Sequence, residues 1–95
     1  MARHGYRSGM GILGDILDAA ADRGTGGAYV SQISRRANIS HCAVVEKCGR
    51  LEEAGLVAVR REKNRRAYLV TEAGLHFRRE FNEFREMVAS MELRH

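Results

Sequence analysis

Leu51-Glu52-Glu53-Ala54-Gly55-Leu56-Val57-Ala58-Val59 leads into Arg60-Arg61-Glu62-Lys63-Asn64-Arg65-Arg66, and the chain returns through Ala67-Tyr68-Leu69-Val70-Thr71-Glu72-Ala73-Gly74. A helix stops at Gly55, since glycine adopts the left-handed conformation that closes a helix at little cost. Leu56 to Arg60 and Ala67 to Val70 carry the β-branched and aromatic residues that suit strands, and Thr71 can cap a new helix. The stretch therefore reads as a β-hairpin between two helices. From Arg60 to Arg66 it holds five Lys or Arg and one Glu, a net charge of +4 that equals the formal charge of the whole chain. Charge concentrated on one short hairpin points to a polyanionic partner, of which nucleic acid is the commonest.

Outward from that stretch, 95 residues suffice for one domain with a modest core. A 44% hydrophobic, 29% charged composition without proline fits a mostly helical globule. No apolar run is long enough for a bilayer, and Met1 to Ser8 lacks the apolar core of a signal peptide, so a cytoplasmic, nucleoid-associated protein without a membrane partner is expected. Cys42 and Cys48 lie six positions apart on one expected helix, about 240° around its axis, and cannot bridge each other. Neither they nor the scattered His4, His41, His76 and His95 have metal-site spacing, so no metal and no cofactor are expected. Fourteen of the 16 basic residues are Arg, which suits bidentate phosphate contacts but equally reflects biased codon usage.

Between Met10 and Arg23, Ile12, Leu13, Ile16, Leu17 and Ala20 mark an amphipathic helix, with Asp15, Asp18 and Asp22 expected on its solvent side. Gly24-Thr25-Gly26-Gly27 ends it, and Tyr29-Val30 offers a short strand. Ser31 is the expected N-cap of a second helix that turns Ile33 and Ala37 inward, with Asn38 a left-handed terminator. Ser40 caps a third helix to about Ala54, whose inner stripe is Val44, Cys48 and Leu51. Two short helices joined through Ala37-Asn38-Ile39-Ser40 make a helix-turn-helix. Within this frame residues 1–9 form a flexible arm, 10–71 the helix-turn-helix domain and 72–95 a C-terminal dimerisation helix.

The last helix is expected to run about 22 residues, or roughly 33 Å. Along it Phe77, Phe81, Phe84, Val88 and Met91 step by 4, 3, 4 and 3, the spacing that a coiled coil buries. A core of three short helices and a hairpin cannot cover that length, so the seam predicts a homodimer. The flanking charges of both signs do not decide between parallel and antiparallel pairing.

The order helix, short strand, helix, turn, helix, strand, basic loop, strand, long helix is that of the winged helix-turn-helix, and the chain resembles the small archaeal winged-helix DNA-binding proteins. Gly11 to Ala20 resembles the family's opening helix, Ala37 to Ser40 its turn, Leu51 to Leu56 the end of its recognition helix, and Leu69 to Gly74 the start of its last helix. Glu-Ala-Gly-Leu and Thr-Glu-Ala-Gly elements also occur in other winged-helix regulators such as the MarR and PadR groups. The resemblance covers nearly everything beyond residue 9, and implies a mostly α (α+β) fold dimerised by an antiparallel coiled coil of C-terminal helices, with two wings and two recognition helices facing duplex DNA. Ser34 and Arg35 stand where the family often has bulky residues.

In that arrangement the third helix enters the major groove and the wing follows an adjacent backbone or minor groove. Ser40, His41, Ala43, Lys47 and Arg50 are the candidates for groove contact. Cys42, Glu46, Gly49 and Glu53 also point outward, a face with few guanine-reading groups. Arg35, Arg36, Arg60, Arg61, Lys63, Asn64, Arg65 and Arg66 are the candidate phosphate holders, which position a protein without specifying sequence. Cys42, beside His41 at the helix start, admits a redox role, whereas Cys48 reads as a small core hydrophobe. The chain has no G-x-S-x-G and no phosphate-cradling loop, so an enzyme is not expected. The expected function is a dimeric regulator bound to double-stranded DNA, with an architectural chromatin protein or a protein-interaction subunit as the alternatives.

Overall fold

The computed structural model describes residues 9–93. Its elements are α1 (Gly9–Ala21), a 3-10 turn (Gly24–Gly26), β1 (Ala28–Tyr29), α2 (Val30–Ala37), α3 (His41–Glu53), β2 (Val57–Glu62), β3 (Arg65–Val70) and α4 (Glu72–Leu93). The architecture is mostly helical with one three-stranded antiparallel sheet in the order β1-β3-β2. The expected arm lies outside the described residues except for Gly9, which already belongs to α1.

Apolar periodicity accounts for the core. Ile16, Leu17 and Ala20 of α1, Ile33 and Ala37 of α2, and Val44, Cys48 and Leu51 of α3 meet beneath the sheet, where Ala28, Val57 and Tyr68 close the cluster. Three local expectations shift. Tyr29, not Ser31, is the N-cap of α2, because Gln32 reaches back to accept from the Tyr29 amide at 2.9 Å. As Val30 is thereby helical, β1 ends one residue earlier than expected. The hairpin strands also run two residues further at the tip, leaving only Lys63-Asn64 as the turn, since Arg61 pairs with Arg66 and Glu62 with Arg65 across the ladder. Asn38 does terminate α2 in the left-handed region at φ 59°, and Ile39 donates to the Ser34 carbonyl at 3.1 Å.

A clasp at the base of the hairpin joins the turn at Gly55 to the helix start at Gly74. Gly55 takes φ 80°, donating to Glu52 O at 3.0 Å while Leu56 donates to Leu51 O at 2.9 Å, a Schellman closure of α3. The exposed carbonyls of this turn then receive Thr71, whose hydroxyl donates to Gly55 O at 2.6 Å and whose amide donates to Leu56 O at 3.1 Å. Thr71 Oγ1 also accepts from the Gly74 amide at 3.0 Å, capping α4. A Cβ on Gly74 would lie 2.0 Å from Leu56 O, so only glycine lets α4 start this close to the end of α3. Both strands of the wing thus leave from one hydrogen-bonded base.

α4 lies first along its own domain and then beyond it. Phe77 packs on the core and stacks on Phe81 with ring centroids 6.1 Å apart. Phe81 covers α1 at Gly14, where a Cβ would come within 2.4 Å of the ring. Asp15 and Asp18, expected to face solvent, instead face α4: Arg78 meets Asp18 at 2.7 Å, and Arg85 reaches Asp15 at 3.8 Å and Asp18 at 3.7 Å. The acidic face of α1 is therefore a docking face for basic residues of α4, which charge periodicity alone does not distinguish from a solvated one. Of the expected dimer seam, Phe77, Phe81 and Val88 are half-buried within the chain, while Phe84 and Met91 are 58% and 57% exposed. Met87, which the seam omits, is equally exposed.

Candidate nucleic-acid interface

α3 is set by the short turn after α2. Ser40 Oγ accepts from the Ala43 amide at 3.1 Å, and Ser34 Oγ donates to Ile39 O at 2.6 Å, so both hydroxyls fix the turn. A shallow polar cleft opens there between Ser31 and Arg35 of α2 and Ser40 and His41 at the start of α3. With the Val44, Cys48, Leu51 stripe buried, α3 exposes His41, Cys42, Val45, Glu46, Arg50 and Glu53, while Ala43 and Lys47 are half-buried. Val45 is the residue that stripe counting misses, because it sits beside the buried Val44 yet on the rim. Glu46 and Arg50 form an exposed ion pair at 3.7 Å. Burial pushes the Cys48 thiol up to about 12.

The candidate phosphate holders separate into two groups. Arg36 is paired with Asp22 at 2.5 Å, joining the end of α1 to α2, and this hydrogen-bonded guanidinium holds the Asp22 carboxyl below its usual range. Arg60 donates to Gly26 O at 2.8 Å and to Glu62 at 3.0 Å. Tyr29 donates its hydroxyl to Glu62 at 3.1 Å, and the Arg65 guanidinium lies 3.8 Å over the Tyr29 ring centroid. The bonds from Arg60 and then Tyr29 keep the Glu62 carboxyl below its ordinary value. Arg35, Lys47, Arg61, Lys63 and Arg66, by contrast, have no ion-pair partner among the described residues. Arg23, which the sequence did not single out, lines a second cleft with Arg35 and Arg36.

Strand register explains the division on the wing. Arg61 and Arg66 are directly opposite and share a sheet face with Val59 and Tyr68, which turn toward the helices. Arg60, Glu62 and Arg65 occupy the other face beside Tyr29, whose partner across the ladder is Ala67. Among the described residues no helix is long and apolar enough to cross a membrane, and no three His, Cys, Asp or Glu side chains are grouped to hold a metal ion.

Residues 6–89 match the winged helix-turn-helix family. The chain belongs to that family. Its fold is similar to that of Sso10a-2, a DNA-binding protein from Sulfolobus solfataricus, at 24% identity over 90% of each chain with a TM-score of 0.68. It is also similar to the transcriptional regulator BldR from Sulfolobus solfataricus, at 23% identity over 84% of this chain with a TM-score of 0.73. MepR, a transcription regulator of the Staphylococcus aureus multidrug efflux pump MepA, is 17% identical over 88% of this chain with a TM-score of 0.72. The chain spans 58% of BldR and 64% of MepR. No curated protein sequence matches it.

Proposed function

We propose that the protein is a homodimeric double-stranded DNA-binding protein that acts as a transcriptional regulator. In this reading α3 enters the major groove through His41, Ala43, Lys47 and Arg50, with Ser40 at its start. Arg35 and the wing cations Arg61, Lys63 and Arg66 hold phosphates. The observation that carries the reading is the distribution of neutralised charge. Asp15, Asp18 and Asp22 are matched by Arg36, Arg78 and Arg85 within the fold, whereas Arg35, Lys47 and the wing cations Arg61, Lys63 and Arg66 have no such partners among the described residues. A cationic surface beside a helix of groove dimensions is complementary to a duplex.

The dimer in this reading forms by antiparallel pairing of the distal α4 helices through Phe84, Met87, Val88 and Met91, continuous with Phe77 and Phe81. Exposed side chains of that size on one helix are the kind of surface that self-association buries. A second reading, an architectural protein of weak sequence preference, is favoured by the exposed face of α3, where Val45, Glu46 and Glu53 offer little to guanine. Electrophoretic mobility shift at low salt tests both. Retardation of generic duplex is expected, and its absence contradicts DNA binding. Affinity for the DNA upstream of its own gene at least about 1,000-fold above random duplex at the same salt supports the regulator, and parity supports the architectural protein.

A further inference from the structure

We infer that Glu62 is a positioning residue that sorts the wing's cations, binding Arg60 and Arg65 on one sheet face and leaving Arg61 and Arg66, with Lys63 at the tip, as the phosphate-neutralising set. The inference rests on the DNA-binding reading and adds to it which residues act and what restrains the others.

Three observations converge. The ladder places Glu62 opposite Arg65 and two residues from Arg60, so its carboxylate is the only acid between two guanidiniums on that face of the hairpin. Its two oxygens are divided, Oε2 accepting from Arg60 Nε at 3.0 Å and Oε1 accepting from the Tyr29 hydroxyl at 3.1 Å with Arg65 Nε 3.7 Å away. Each restrained arginine also has a second anchor that a flexible surface loop lacks: Arg60 on Gly26 O, and Arg65 over the Tyr29 ring. The group ties the hairpin back to β1 and the glycine turn before it, so the wing leaves the domain at a fixed angle. On the opposite face Arg61 and Arg66 have no carboxylate partner among the described residues and stand side by side, two charges with the spacing of a cross-strand pair. A backbone phosphate taken by this pair displaces counterions, whereas one taken by Arg60 or Arg65 must first displace Glu62.

The test measures duplex affinity against salt concentration for the full chain, together with the thermal midpoint of each variant. R61A/R66A is expected to flatten the log-log salt slope by about 1.8 per protomer, near 0.9 for each lost phosphate contact, with little change in thermal midpoint. R60A/R65A is expected to lower the midpoint and keep the slope close to wild type. E62Q, which retains a hydrogen-bonding side chain but no charge, is expected to steepen the slope as Arg65 and Arg60 become available. A purely structural Glu62 would only weaken binding on replacement. Equal loss of slope in the two arginine pairs, or an E62Q slope no steeper than wild type, overturns the sorting while leaving DNA binding intact. Failure of the wild-type chain to bind duplex at low salt overturns both.

Discussion

At Gly74 an added methyl group would sit 2.0 Å from the Leu56 carbonyl oxygen and 2.7 Å from Val70 Cγ1, whereas at Gly49 it would meet nothing within 4 Å. Both positions are helical, so alanine gains up to about 1 kcal/mol of helix propensity at either. At Gly74 the overlap is with main chain and α4 must move, which costs about 1–3 kcal/mol and outweighs that gain. Gly74→Ala is therefore expected to lower the thermal midpoint and Gly49→Ala to raise it, by roughly 4–8 °C per kcal/mol for a domain of this size, read by circular dichroism. The cysteines separate as sharply, because Cys42 is exposed and Cys48 is buried with its thiol pushed up to about 12. A folded thiol pKa above the ordinary 9.0 leaves stability unaffected below that pH and removes it progressively as pH rises from 9.0 toward 12. Rapid alkylation of Cys42 with protection of Cys48 until denaturant is added is the expected labelling pattern, and equal rates would contradict the packing of α3.

The elements were legible where sequence period and end signals agree. The α3 stripe, the Asn38 stop and the 22-residue α4 all stand where the residues place them. Legibility failed where a side chain acts across elements. Gln32 capping Tyr29, Arg78 and Arg85 closing on Asp15 and Asp18, and Phe81 seated on Gly14 depend on neighbours that periodicity does not reveal. For the same reason a list of basic wing residues could not say that Arg60 and Arg65 are held by Glu62 and Tyr29. That network has its own pH signature. With the Glu62 carboxyl below its usual value, through hydrogen bonds from Arg60 and Tyr29, its contribution is present above the ordinary carboxylate range and is lost as pH falls through the lowered value. Acid unfolding of the wild type is expected to be more pH-dependent than that of E62Q, and superimposable acid limbs would argue against the network.

Across the whole molecule, α4 links the two halves of the proposal, since its first turns pack on the domain that carries α3 and the wing while its distal turns expose Phe84, Met87 and Met91. Light scattering at micromolar concentration is expected to give twice the chain mass for wild type and a single chain for F84E/M91E with its helical circular dichroism retained. An unchanged mass in that variant would remove the distal seam from the dimer. Because DNA presents repeating phosphates, such a dimer doubles the cations engaged and steepens salt dependence accordingly. The central claim is that α3 and the Arg61, Arg66 face of the wing meet one duplex together, and amide chemical-shift mapping with a short generic duplex at low salt addresses it most directly. The largest shifts are expected from Ser40 to Arg50 and from Arg61 to Arg66, with the outward residues of α1 unmoved. Shifts confined to α4, or none in α3 at saturating DNA, would contradict it.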